Sequence, residues 1–269
     1  MATPSITFLG TGSAFPSRSY NACCIIDTGC DTLMVDAGGG NGIFAALAGS
    51  GRGIDDIRRL FVTHVHTDHL LGAVWILRML VKLDFDGVVR DRLEVYGNSD
   101  VIGALDNICR LTFLPSYYSR LANVAAFRAV TPGDTLALVG ASAEFFDCRS
   151  KGVMQTGVRV TLDNGHTLAC LGDEALTDDN ISEVSGCRTV VCGAFCCYAD
   201  RDIFRPYEKH HHTVLDVARL AAKATVGTLM LVHCEDRDLS VRSARYAAEA
   251  TTVFDGRLIV PLDGETVAL

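Results

Sequence analysis

Phe61-Val62-Thr63-His64-Val65-His66-Thr67-Asp68-His69 is the stretch whose reading decides the fold. Three imidazoles and one carboxylate fall within the six residues from His64 to His69. The apolar run Leu60-Phe61-Val62 reads as a short buried strand, and Leu70-Leu71-Gly72-Ala73-Val74-Trp75-Ile76-Leu77 reads as a buried helix. The cluster therefore stands where a strand ends and a helix begins, the crevice in which open α/β sheets hold ligands. Imidazole with carboxylate is a donor set for zinc, with manganese or iron as alternatives, and residues leaving a turn can face two neighbouring ions. A lone histidine on an apolar face is commonly a satisfied core residue; four donors in six positions have no comparably cheap structural explanation.

Around this stretch the composition sets bounds. At 269 residues, 49% hydrophobic and 21% charged, the chain can bury a sizeable core, and one domain spanning residues 1–269 is expected. The first ten residues have no basic segment followed by a long apolar one, and Asp68, His69, Arg78 and Lys82 interrupt the most apolar helix, so neither secretion nor a membrane span is expected. Eleven cysteines without any C-x-x-C spacing read as reduced thiols in a cytoplasmic protein and give no support for a zinc ribbon. The formal charge of -8 argues against broad, sequence-independent nucleic-acid binding.

Periodicity and turn residues place strands at residues 5–9, 22–27, 32–35 and 93–96, a helix from Ser99 as N-cap to Thr112, and strands at 136–139, 143–147, 157–162, 167–171, 189–192, 228–232 and 258–261. Asp36-Ala37-Gly38-Gly39-Gly40 lacks the Gly-Lys-Ser/Thr ending of a phosphate loop and reads as a tight turn near the crevice. Asp163-Asn164-Gly165 is a hairpin turn, which makes His166 an exposed turn residue. The aromatic-rich stretch 113–129 is read as packed core in preference to a lid. Leu171-Gly172-Asp173-Glu174 ends a strand in two carboxylates, which repel each other unless a cation is near. Strand 228–232 ends in His233, and His210-His211-His212-Thr213 opens a helical pattern; three consecutive histidines cannot all reach one ion.

His64-x-His66-x-Asp68-His69 matches, without substitution, the H-x-H-x-D-H signature of the metallo-β-lactamase fold superfamily. The opening Phe8-Leu9-Gly10-Thr11-Gly12-Ser13-Ala14-Phe15-Pro16-Ser17, then Asn21, then Val35-Asp36-Ala37-Gly38-Gly39-Gly40, resembles ribonuclease Z and its phosphodiesterase relatives within that superfamily, and the resemblance extends to about Asp236. It implies a four-layer αβ/βα sandwich with two mixed β-sheets. It also implies that His64 and His66 hold a first metal ion, that Asp68, His69 and His233 hold a second, and that Asp173 bridges them. Asp68 would in addition orient the nucleophile, and a histidine before the helix-opening threonine, His211 ahead of His210, would serve as proton donor or phosphate partner. Relatives are often dimers, so a homodimer is expected.

One departure stands out. In the resembling family a third histidine lies about six residues before a Gly-x-Arg, and counting back from Gly157-Val158-Arg159 lands on Lys151. Three alternatives remain at this point: a neutral Lys151 ligates, a charged Lys151 contacts the substrate's phosphate, or Cys148 takes the position. The second is favoured, with a weakened first metal site. Members that process tRNA carry a long arm between the third histidine and the bridging aspartate; the gap from about Lys151 to Asp173 is short and leaves little room for one. The expected activity is thus a zinc-dependent phosphodiesterase, holding one or two ions, for a small-molecule or nucleotide-like diester in preference to tRNA. Hydrolysis of a lactone, thioester or β-lactam on the same scaffold, and a degenerate metal-binding protein, are the alternatives.

Overall fold

The computed structural model describes residues 2–269. In chain order the first half holds β1 (Ser5–Gly10), β2 (Cys23–Asp27), β3 (Thr32–Val35), α1 (Gly42–Gly49), β4 (Arg59–Phe61), α2 (Thr67–Phe85), β5 (Leu93–Gly97), α3 (Ser99–Thr112), α4 (Pro115–Tyr118), α5 (Leu121–Val124) and β6 (Ala125–Ala129). The second half holds β7 (Thr135–Leu138), β8 (Ala141–Asp147), β9 (Thr156–Leu162), β10 (Thr167–Cys170), α6 (Ile181–Val184), β11 (Thr189–Gly193), α7 (Arg201–Phe204), α8 (Val214–Lys223), β12 (Thr228–Val232), α9 (Leu239–Ala250), β13 (Arg257–Ile259) and β14 (Thr266–Ala268). They build two seven-stranded sheets, ordered β14-β1-β2-β3-β4-β5-β6 and β13-β12-β11-β10-β9-β8-β7. Each is antiparallel where hairpins join its strands and parallel where helices make the crossovers. This is the expected αβ/βα sandwich.

The period of two in a strand explains the layering. In β2, Cys24 and Ile26 face the second sheet, while Cys23 and Ile25 face α1 and α2. In β12, Met230 and Val232 join the layer between the sheets, while Leu229 and Leu231 pack under α8 and α9. Strands covered on both faces need apolar residues at every position, which is why these segments read as unbroken apolar runs. Phe61 and Phe145 close the middle layer, with ring centroids 4.9 Å apart. Among the described residues no helix is long and apolar enough to cross a membrane.

Several expectations shift. Asn98, not Ser99, caps α3, its side chain accepting from Asp100 N and Val101 N. The aromatic stretch contributes Phe113 to the core, with Tyr117, Tyr118 and Phe127 packed against it, and ends in β6, an edge strand with too little alternation to be read from sequence. β13 closes the second sheet as expected, but the last residues cross to the first, where Val267 pairs with Ile6. His166 is buried, its Nε2 2.9 Å from Thr189 Oγ1, because β10 runs beside β11 and the turn tucks under that pair.

Candidate metal centre

The C-terminal ends of β4, β10 and β12 converge, and each delivers donors to one point. β4 lies between β3 and β5, and beyond it Thr63 and His64 are buried. His66 remains extended as the N-cap of α2, so Asp68 and His69 fall on that helix's first turn and face back toward His64. At the end of β10, Gly172 takes a left-handed φ of 66° and passes so close to Thr63 that a Cβ would stand 2.9 Å from its Oγ1; this turn swings Asp173 into the crevice. A Cβ at Gly193 would collide with the Asp173 carbonyl, so the neighbouring strand end must be glycine. His233 sits at φ 54° as the chain leaves β12, a strained conformation that aims its ring at Asp68.

The donors form two groups that meet at Asp173. His64, His66 and Asp173 form one, and Asp68, His69 and His233 the other, with the ligand atoms of each within 4.8 Å of one another. Asp173 Oδ1 lies 3.8 Å from His64 Nε2, while its Oδ2 lies 3.8 Å from the Nε2 atoms of both His69 and His233. Asp68 Oδ2 is 3.3 Å from His69 Nε2 and 3.4 Å from His233 Nε2. Each carboxylate thus faces imidazole nitrogens of more than one element, spanning 165 residues between Asp68 and His233.

The surroundings test whether this donor set suits a divalent ion. Asp36 Oδ2 lies 2.8 Å from His69 Nδ1 and accepts a hydrogen bond from its N–H, which leaves His69 Nε2 facing the carboxylates of Asp68 and Asp173. His69 Nε2 and Asp173 Oδ1 are buried without a hydrogen-bond partner. Carboxylate oxygens gathered around a buried imidazole nitrogen need a positive charge between them, supplied by a proton on His69 or by a metal ion that replaces it. Burial opposes protonation of His69, yet the Asp36 and Asp173 carboxylates outweigh it and hold its pKa well above the usual histidine value. Burial, followed by the charge of His69, pulls His64 down to about 3, so it stays neutral, as a ligand must. For Asp68 burial acts upward, but the His233 and His69 imidazoles beside its carboxylate prevail and keep it ionised. Nitrogen and carboxylate donors around orphaned buried atoms fit a divalent metal ion.

Asp36 was not singled out from the sequence, where it is one residue of a glycine-rich turn. Besides His69 it accepts from Thr63 N (2.8 Å) and Thr63 Oγ1 (3.0 Å), and Thr63 Oγ1 is in turn 2.9 Å from His64 Nδ1. One carboxylate therefore orients histidines of both groups.

A cavity of about 500 Å³ opens above the cluster, with Phe15, Phe195 and Phe204 on its walls and Lys209 and Arg237 among its cations. His211 stacks on Phe195, with centroids 5.4 Å apart, and its donor atom lies within 4.8 Å of those of Asp173 and His233. Burial, then the neighbouring His233, lowers its pKa to about 4. His210 is exposed at the cavity mouth with φ 61°, and His212 turns to the other side beside Tyr207. Glu174 is half-buried between this cavity and the next cleft, and burial raises its pKa to about 7.

Lys151 stands elsewhere than the spacing suggests. After β8 the chain turns at Arg149, in a left-handed conformation, and carries Lys151 outward into the neighbouring cleft with Glu174, Asp178 and Tyr207. Cys148 is fully buried with its Sγ 3.9 Å from the Leu171 carbonyl oxygen. Ser150, Val153 and Gln155 of this segment do line the cavity, and of these Gln155 is the buried one; sequence reading did not single it out.

Two facing mixed sheets with this histidine–aspartate cluster at their strand ends define a metallo-β-lactamase-fold, ribonuclease Z-like chain. More particularly, it belongs to the family described as Anti-Pycsar protein Apyc1, whose model matches residues 4–168. It is 26% identical over 267 residues to Ribonuclease Z of Mycolicibacterium paratuberculosis, covering 94% of each chain. In fold it resembles the metallo-β-lactamase fold protein YhfI of Bacillus subtilis, with a TM-score of 0.79 and 21% identity over 99% of both chains. It also resembles the short form of human tRNase Z, with a TM-score of 0.75 and 18% identity over 98% of both.

Proposed function

We propose that this chain is a metal-dependent phosphodiesterase that acts on a small or nucleotide-like diester. The observation that carries the reading is the shared carboxylate: Asp173 turns one oxygen to His64 and the other to His69 and His233. In this reading His64 and His66 hold a first ion, Asp68, His69 and His233 a second, and Asp173 bridges them; zinc is the ion that suits these donors best, with Mn2+ or Fe2+ as alternatives. When bound, such a pair supplies Lewis acidity and a nucleophile drawn from water at neutral pH. Asp68, ionised and directed into the cavity, orients the incoming water. Lys209 and Arg237 draw the phosphate anion toward the cluster, and Lys151 adds positive charge from the adjoining cleft. His211, neutral in the free protein, offers an N–H to the leaving oxygen, and a phosphate anion beside it raises its affinity for a proton.

Support for a compact diester over tRNA comes from the stretch between Lys151 and Asp173, which β9, β10 and their tight turn fill without an inserted arm. All eleven cysteines are free, ten of them buried, which supports assignment to the reducing cytoplasm. A homodimer belongs to the same reading and is tested by sedimentation. The decisive assay incubates metal-loaded protein with bis(p-nitrophenyl) phosphate, a lactone and a thioester in parallel. Diester turnover that a chelator abolishes, and that His69→Ala and Asp173→Ala each remove together with bound metal, is expected. Turnover of the lactone or thioester alone would overturn the phosphodiesterase assignment.

A further inference from the structure

We propose that Gln155 is the third protein donor of the first metal position, joining His64 and His66 through its amide oxygen where the resembling family carries a histidine; this rests on the metal centre described above. Gln155 is only 5% exposed, yet it lines the cavity with His66, Asp68 and Asp173. Its Oε1 is buried without a hydrogen-bond partner. An orphaned buried acceptor is costly to leave unpaired, so something at this spot must compensate it. The two ends of an amide exchange by rotation, and a cation selects the oxygen.

The backbone holds this side chain in place. Thr156 N donates to Thr63 O (3.0 Å), the residue before His64, so Gln155 adjoins the exit of β4. Cys148 N donates to Gln155 O (3.1 Å), and Asn98 Nδ2 donates to Met154 O (3.1 Å). Three hydrogen bonds thereby tie residues 154–156 to the rim of the crevice, whereas Lys151 lies beyond the turn at Arg149. Among the described residues no further histidine, cysteine or acidic side chain joins His64, His66 and Asp173 in that group.

The chemistry has a consequence. A neutral amide oxygen is a harder and weaker donor than imidazole, so the first position binds zinc less firmly than the second and tolerates Mn2+ better. The two positions are unequal by construction.

The test titrates zinc into metal-free protein against a chromophoric chelator, with the visible absorption of bound Co2+ as an independent reading of ligand geometry. The wild type is expected to show one tight and one weak site. Gln155→His should tighten the weak site by at least about tenfold, the scale that even outer-shell changes reach. Gln155→Ala should loosen it, and both variants should leave the tight site alone. Lys151→His should change neither. Two ions bound with affinities that neither Gln155 variant moves, or a gain from Lys151→His in place of Gln155→His, would overturn the inference and leave the metal centre standing. Protein that binds no divalent ion overturns both.

Discussion

Asp36→Asn probes the link between the glycine-rich turn and the metal centre. Asparagine is the right replacement because residue 36 sits at φ 58°, a conformation asparagine tolerates well. Its carbonyl oxygen can still accept from Thr63 N and Thr63 Oγ1, as Asp36 Oδ1 does at 2.8 and 3.0 Å. What changes is the other end. Asp36 Oδ2, 2.8 Å from His69 Nδ1, becomes an amide NH2. Two donors then oppose each other, and His69 relieves the clash by moving its proton to Nε2, the atom proposed to ligate, or by rotating away. Loss of such a carboxylate–imidazole contact typically lowers metal affinity 10- to 100-fold, which corresponds to about 1.4 to 2.7 kcal/mol. Zinc competition with a chromophoric chelator measures the loss directly, and circular dichroism in excess chelator shows whether the ion-free fold survives. A folded Asp36→Asn protein that holds its tight ion within about twofold of wild type would refute the argument that Asp36 sets the His69 tautomer.

Three further outcomes are expected. His211→Ala should retain its metal and lose on the order of 10² to 10⁴ in diester turnover, while His210→Ala should lose much less; the reverse pattern would move the role to the cavity mouth. Phe145→Ala removes a ring that is 1% exposed and packed 4.9 Å from Phe61, and urea unfolding should register a loss of about 3–5 kcal/mol; a loss under about 1 kcal/mol would contradict the tight middle layer. His166 has its pKa lowered by burial, with Arg188 adding to the effect. A depressed histidine contributes stability that is present above the unfolded value of about 6.5 and is lost as pH falls toward the folded one. His166→Gln should therefore lose less stability than wild type between pH 8 and pH 5, and parallel losses would show that His166 titrates alike in both states.

The features legible from sequence are those whose cause is local. His64, His66, Asp68 and His69 announce themselves because a strand exit and a helix's first turn bring neighbours in the chain onto one crevice. Asp173 and His233 are legible for a related reason, since each ends an apolar strand in a residue that such a strand would otherwise avoid. The long core strands follow from the need to cover both faces. β6 and β14 were not legible, because an edge strand takes its conformation from the strand beside it and carries little pattern of its own. Burial of His166 depends in the same way on β11, met only after the chain has crossed over. Asp36 and Gln155 gain their place at the centre from contacts across the fold, Asp36 with His69 and Gln155 beside the exit of β4. Counting along the chain pointed to Lys151, but the left-handed turn at Arg149 reverses the direction in which that side chain leaves the backbone. Only the folded arrangement of both sheets decides which residue of that segment faces the metal centre.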